Sequence, residues 1–360
     1  MIKQWIKEKI LKLFDARVIP FYVMCGGSHG WRYTSPDMDK SDKENKFCLI
    51  QKDHINAGIM EDYINFLLVI DFSLCRGWIP VIDRITYPAR FQQEEADWGK
   101  KNSWEIYFEQ PFAEYDVDYV KKNAANVIEA TPFISFDILE VQSCDGVRFM
   151  RMFLSEKEEH ILYANHLKTV AKEYIRFNSN TLKTIVEKAE KAFKKKNGKV
   201  LAVSVREEMF LRSEPTGVKL DNLFSYVEEQ MKKWGCSQIF IASEFESRIE
   251  LCYEYFGEDK VLHLDRKRPY SGEDEKEKEI LRLSENYTED NCRRIFELQE
   301  EVFGPKYERW LNYLAEMYCV SCCDSAILQA SSGNTGVLLM KEGKFENVIM
   351  LNDIEEFQEL

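Results

Sequence analysis

Long apolar runs are missing from this chain. No stretch approaches the roughly 20 residues that a membrane span needs, so no transmembrane segment is expected. The opening residues hold neither a secretory apolar region nor a small-residue cleavage site. Histidine is scarce, with five in 360 residues, and none is spaced with the ten cysteines as a zinc site would require. Cys319, Cys322 and Cys323 lie on an apolar segment and read as buried free thiols. A reducing, cytoplasmic compartment is therefore expected. No G-x-G-x-x-G follows any strand-like run, which sets a nicotinamide-dependent oxidoreductase aside. Basic residues are also in deficit, 49 against 62 acidic, for a net charge of −13. A general nucleic-acid binder needs a broad basic surface, so that class is not expected. A site for a nucleotide sugar needs only one or two local arginines.

The composition itself, 45% hydrophobic and 31% charged, is that of a folded soluble protein. The length suits two domains rather than one core. Residues 1–14 form an amphipathic basic helix, with Ile2, Trp5, Ile6, Ile10, Leu13 and Phe14 on one face. Docking on its own domain is the favoured reading of that helix; peripheral contact with an anionic membrane is the other. A strand at residues 18–25 runs into a Gly-rich turn. Asp37-Met38-Asp39 matches a D-x-D metal motif only nominally, since it stands in a polar loop, and no metal or other cofactor is expected. Two further strands, at 47–52 and 78–83, flank a long apolar helix. The loop at 84–112 is rich in aromatics, and Trp104 and Tyr107 beside Asn102 and Glu105 would suit a sugar; a loop packing its own small core is at least as good a reading. Another strand and helix unit is expected over 119–143, and helices over 155–196. The basic run 188–199 marks a boundary. Domains are therefore expected at 1–190 and 191–350, with a tail at 351–360.

The organising stretch begins there. Residues 198–206, GKVLAVSVR, form an apolar run with the character of a buried parallel strand. A loop with Pro215 and Gly217 follows. Leu223, Val227 and Met231 then repeat at helical spacing up to Gly235. A second strand ends at Glu244, a second helix at Gly257, and VLHL makes a third strand. This βαβαβ succession is a nucleotide-binding half, whose ligands bind beyond the carboxyl ends of the strands. Arg206 and Glu244 both stand there. Arg266, Lys267 and Arg268, in the charged loop that follows, read as exposed. Farther on, a strand is expected to deliver Asp324, and Ser331, Ser332 and Gly333 to open a helix whose N–H groups face a diphosphate.

These motifs carry a resemblance. The strand ending V-x-V-R at Arg206, the strand ending I-A-S-E at Glu244 and the later CCDSAILQASSGN are similar to the donor-binding domain of the fucosyltransferase superfamily. That superfamily comprises the α-1,6-fucosyltransferases, the bacterial nodulation fucosyltransferases and the protein O-fucosyltransferases. GWIPVID and NSWEIYFEQPF resemble bacterial members from polysaccharide gene clusters, and the likeness spans about residues 48–350. It implies an α/β fold of two Rossmann-like domains facing across a cleft, the GT-B-like arrangement. The implied activity is metal-independent, inverting transfer of a fucose-like sugar from a nucleoside-diphosphate donor, perhaps GDP-linked, to a glycan or glycolipid acceptor.

Arg206 matches the phosphate-binding arginine, a role that suits bidentate guanidinium geometry. By spacing, Glu214 falls on the carboxylate proposed as base, and Glu316 on an acidic donor contact. The donor set implied is then Arg206, Glu244, Glu316, Asp324, Ser331, Ser332 and Gly333; the acceptor set is Asn56, Asn102, Trp104, Glu105 and Tyr107. Departures from the pattern stand at Ser204, Glu207, Met209 and Val218. Two classes stay open: an active glycosyltransferase of cell-surface polysaccharide synthesis, and a divergent non-catalytic relative that binds a nucleotide sugar or a protein partner.

Overall fold

The computed structural model of the chain describes residues 31–33, 36–52, 58–87, 89, 91, 97, 99–130, 145–205, 222–268, 275–284 and 289–354. The expected basic helix at 1–14, the strand at 18–25 and its Gly-rich turn lie outside them. Two compact units emerge. One takes the described residues up to 145 together with Arg151–Asn178; the other takes Gly146–Met150 and Ser179 onward.

The first unit opens with β1 (Trp31–Tyr33) and β2 (Asp42–Gln51), followed by the helix α1 (Ile59–Cys75) and β3 (Ile79–Asp83). Helix α2 (Val117–Asn123) then leads directly into β4 (Ala124–Ala130). The expected strand and helix unit is described as far as residue 130, where Asp116 caps α2 by accepting from the Tyr119 N–H. The sheet runs β1-β4-β2-β3, with β2 parallel to both neighbours and β1 antiparallel at the edge. β2 and β3 pair in register, Gln51 opposite Asp83. The apolar residues of α1 cover the sheet, and Phe66, Leu67 and Ile70 are fully buried.

Farther along come α3 (Asp145–Leu154) and α4 (Glu158–Tyr174). His166 of α4 meets the buried Asp71 of α1, Nε2 to Oδ1 at 2.5 Å.

The second unit begins with α5 (Ser179–Ala192) and the buried strand β5 (Val200–Ser204). Its next elements are α6 (Leu223–Trp234), β6 (Gln238–Ala242), α7 (Glu246–Phe256) and β7 (Val261–Leu262). This is the expected βαβαβ succession. Gly235 closes α6 in the left-handed conformation, φ 65°, which favours glycine. Three helices follow, α8 (Glu275–Ser284), α9 (Glu289–Phe303) and α10 (Lys306–Cys322). The chain then enters β8 (Ser325–Leu328), α11 (Ser332–Met340) and β9 (Asn347–Met350). A helix, not a strand, therefore delivers Asp324. All five strands are parallel, in the order β7-β6-β5-β8-β9. Counted within the unit this is 3-2-1-4-5, the doubly wound order, and the winding reverses between β5 and β8. The architecture is α/β with parallel sheets. No described helix is long and apolar enough to cross a membrane.

Candidate functional site

The point where the winding reverses is where an open α/β sheet leaves a crevice for a ligand. Here the carboxyl ends of β5 and β8 are stitched together by one side chain. The Asn334 amide, buried in the first turn of α11, donates from Nδ2 to the Ser204 carbonyl at 3.0 Å and to the Gln329 carbonyl at 2.7 Å. Ser331 caps the helix. Its hydroxyl accepts from the Asn334 N–H at 3.1 Å, and its carbonyl accepts the Thr335 N–H at 2.9 Å. The N–H groups of Ser332 and Gly333 fall in the first turn, which has no preceding helical carbonyls to bond to. They lie at the positive end of the helix dipole, at the carboxyl edge of the sheet. A small cleft of about 20 Å³, room for little more than one water, lies on the same edge, at the ends of β5 and β6. Val203, Val205, Leu223, Phe224, Ser243 and Arg248 line it.

Gly333 has a packing reason for its identity. A Cβ there would stand 2.5 Å from the Tyr313 hydroxyl and 3.2 Å from Met317 Sδ on α10. Gly333→Ala should therefore cost about 1–3 kcal/mol through overpacking. In a Tyr313→Phe background most of that loss should vanish, as read by urea denaturation; an equal loss in both backgrounds would show that the hydroxyl is not the obstacle.

At the next strand end, Glu244 follows Ser243 and is half-buried. The arginines beyond β7 correct the expectation of exposed charge. Arg266 is nearly fully buried. Its Nη2 reaches Glu316 Oε2 of α10 at 2.7 Å, its Nε reaches Oε1 at 3.2 Å, and Nη2 also donates to the Ser243 carbonyl at 3.1 Å. Burial alone would lower the Arg266 pKa, but Glu316 outweighs it and holds the guanidinium above its usual value. Arg268 is buried as well, donating to Glu246 at 3.0 Å and to the Leu264 carbonyl at 2.9 Å. Lys267 alone of the three stays exposed. Glu316 is thus enclosed with both oxygens engaged by Arg266, which leaves no open carboxylate for a donor. The helix α10 carries it inward, where a charge needs a partner.

Asp324 is a plainer correction. It stands before β8, at the amino edge of the sheet, a whole strand or about 13 Å from the carboxyl edge. There it accepts from the Val200 N–H at 2.8 Å and pairs with Lys196 at 3.3 Å, tying β8 to the start of β5. Burial would push its carboxyl up; the Val200 N–H and the Lys196 ammonium outweigh that and hold it below its ordinary value of 3.8. A lowered pKa stabilises the fold above the ordinary carboxylate range, and the contribution is lost as pH falls through 3.8 and below. Asp324→Asn should flatten stability against pH in that acid window, in denaturant melts at successive pH values. An unchanged slope would mean that Asp324 does not contribute to it.

In the first unit the aromatic loop proves to be a small core. Trp104 is fully buried, stacked on Phe108 at 4.1 Å and edge-on to Phe66, with its indole N–H on the Glu109 carbonyl. Tyr107 is equally buried, against Phe91. Their faces are taken by other rings, so neither offers a surface to a sugar. Asn102 is buried too. It donates to the Ile82 carbonyl at 2.7 Å and accepts the Arg84 N–H, pinning the loop to the end of β3. Glu105 is exposed, its Oε1 held by the amides of Gln110 at 2.6 Å and Asn102 at 3.2 Å.

Arg206, Glu214 and Asn56 lie outside the described residues. What the structure brings together at one edge is Glu244, Ser331, Ser332 and Gly333. Asn334 was missed by sequence reasoning, although an Asn three positions after a capping Ser was there to be seen. Among the thiols, Cys319 and Cys323 are buried and Cys322 is exposed at the end of α10, against the expectation for all three. Among the described residues, no group of three or more His, Cys, Asp or Glu is placed to hold a metal ion.

No family model matches the chain, and no curated protein does. Among solved structures, it is similar to the fucosyltransferase NodZ from Bradyrhizobium, at 12% identity and a TM-score of 0.43, over 88% of this chain and 98% of that one. A mutant of Arabidopsis thaliana FUT1 in complex with GDP is similar at 11% identity and a TM-score of 0.44, over 86% and 72%. POFUT1 in complex with GDP-fucose is similar at 12% and 0.41, over 86% and 99%.

Proposed function

We propose that this chain is a glycosyltransferase that takes its sugar from a nucleoside diphosphate, GDP-linked and fucose-like by resemblance. Transfer would be inverting and independent of metal, to a glycan or glycolipid acceptor of cell-surface polysaccharide synthesis, on the inner face of the membrane. The two-domain cleft of the GT-B arrangement is part of the proposal. One observation carries it: a 3-2-1-4-5 parallel sheet whose switch point holds a Ser-capped helix N-terminus. Leaving diphosphates need positive charge without bulk, and helix N–H groups together with an arginine supply it. Arg206, directly beyond β5, is the arginine in this reading. Ser331 and Ser332 present the helix end, Glu244 stands where a ribose hydroxyl would be bound, and Glu214 is the acceptor base. Glu105 would serve the acceptor side.

The non-catalytic alternative has an observation of its own. Glu316, a donor contact by resemblance, is consumed by Arg266. A thermal-shift panel of GDP, UDP, ADP and CDP and their sugars separates the readings. One nucleotide at a hundredfold excess over its Kd should raise the melting temperature by about 5 °C or more. Binding with hydrolysis or transfer supports the enzyme; binding without turnover supports the alternative; no shift with any nucleotide removes the enzyme and leaves only a relative that binds a protein partner.

A further inference from the structure

The first unit has a buried polar cluster at its own carboxyl edge that none of the roles above uses. Because Gln51 and Asp83 pair in register, the next residues, Lys52 and Arg84, leave adjacent parallel strands side by side. Both are cations, exposed to 1% and 0%. Opposite them the first turn of α1 supplies two carboxylates. Glu61 takes the Lys52 ammonium at 2.6 Å. Asp62 lies 3.4 Å from that ammonium and 3.0 Å from Arg84 Nη2. Arg84 is anchored further by donating to the Lys52 carbonyl at 2.7 Å and the Tyr87 carbonyl at 3.1 Å.

Three positions beyond Asp62, on the same face of α1, stands Asn65, which is also fully buried. Neither oxygen of Asp62 and neither amide atom of Asn65 has a hydrogen-bond partner among the described residues. Buried polar atoms in native proteins are nearly always bonded, because each one left unmade loses the hydration it had in water. The Asp62 oxygens are compensated by their ion pairs to Lys52 and Arg84; the two amide atoms of Asn65, at the strand edge where ligands of α/β sheets bind, are unmet hydrogen-bonding capacity rather than a packing surface. Glu61, 40% exposed, is the surface member of the group.

The charge balance narrows the ligand. Two cations face two carboxylates, so neither an anion nor a cation gains from entering. A neutral molecule with several hydroxyls does gain. Each hydroxyl both donates and accepts, and so can serve an Asn amide, a carboxylate and an ammonium at once. We infer that Lys52, Glu61, Asp62 and Asn65 form a binding site for a neutral sugar ring, entered past Glu61. The inference deepens the acceptor side of the proposed function, and rests on it only for the ligand being a sugar rather than another polyol.

The test uses the full chain and saturation-transfer NMR with the methyl glycosides of neutral hexoses and of fucose, beside inorganic phosphate and glucosamine as charged comparators. At least one neutral glycoside should bind, and Asn65→Leu should weaken it by about three- to tenfold. Glu61→Gln, which keeps an amide oxygen for the buried Lys52 ammonium, should weaken it by a similar factor. Thermal melts confirm that each variant is folded; should Asn65→Leu not fold, Glu61→Gln decides. Binding of phosphate or glucosamine in place of every neutral glycoside overturns the ligand class. Equal binding by the wild type and Glu61→Gln overturns the site, as does a wild type that binds no glycoside of the panel. The nucleotide panel on the same variants should be unchanged, so a failure here is distinct from a failure of the donor site.

Discussion

Glu316→Ala is expected to lower folding stability by about 3–5 kcal/mol, the cost of leaving a buried charge without its partner. The guanidinium of Arg266 would lose both of its contacts to α10 while staying enclosed, with only the Ser243 carbonyl to satisfy it. Replacing both partners with apolar residues of similar volume, Arg266→Met with Glu316→Leu, should recover most of the loss, because no charge then remains to be desolvated. Urea denaturation followed by circular dichroism reads both. A loss under about 0.5 kcal/mol for Glu316→Ala would show that the pair is not enclosed in solution. The same variants separate a structural Glu316 from a donor contact. Glu316→Gln should leave nucleotide affinity unchanged if the carboxylate serves only Arg266, and lower it if the donor is read there.

The second large effect is expected at Arg206. Arg206→Ala should weaken nucleoside-diphosphate binding by about two orders of magnitude or more, the scale of removing one member of a desolvated charge pair, with no change in melting temperature. Glu214→Gln should spare donor binding and slow transfer by a factor of about 10²–10⁴, as for loss of a general base. Calorimetry with the responding nucleotide and single-turnover transfer measure the two separately. Unchanged affinity in Arg206→Ala would take that residue out of the donor site, and normal turnover in Glu214→Gln would place the base elsewhere. Both residues lie in the stretch outside the described residues. Their place in the motif order carries the expectation, together with the position of Ser204 at the switch point just upstream.

Much of the second unit was legible because its signals are local. An apolar run of four residues in β5 and another in β6, each beside a helical repeat that ends at a glycine, can hardly be anything but buried strands beside amphipathic helices. The turn at Ser331–Gly333 announced the start of a helix, although the capping hydroxyl is that of Ser331 and not of Ser332, where the sequence puts an ordinary N-cap. Asp324 misled for a related reason. An acid next to an apolar run marks a strand end, but nothing local says which end, and here it precedes the strand. Trp104 and Tyr107 misled in another way. Aromatics beside amides look the same whether they line a sugar site or fill a core, and only the positions of Phe66, Phe91 and Phe108 tell the two apart.

What the sequence determined by itself was the succession of strands and helices, the bias of each buried run toward parallel pairing, the helix start at Ser331–Gly333 and the cap at Gly235. All of these rest on interactions between residues a few positions apart. The tertiary structure alone decided the order 3-2-1-4-5, and with it that the ends of β5 and β8 adjoin although more than a hundred residues separate them. It also decided the fate of the charges. Arg266 and Lys267 are neighbours of equal charge, yet one is buried and the other is not, because Glu316 of α10 reaches only the first. A charge goes inside only where the fold brings it a counter-charge, and that partner stands fifty residues along the chain.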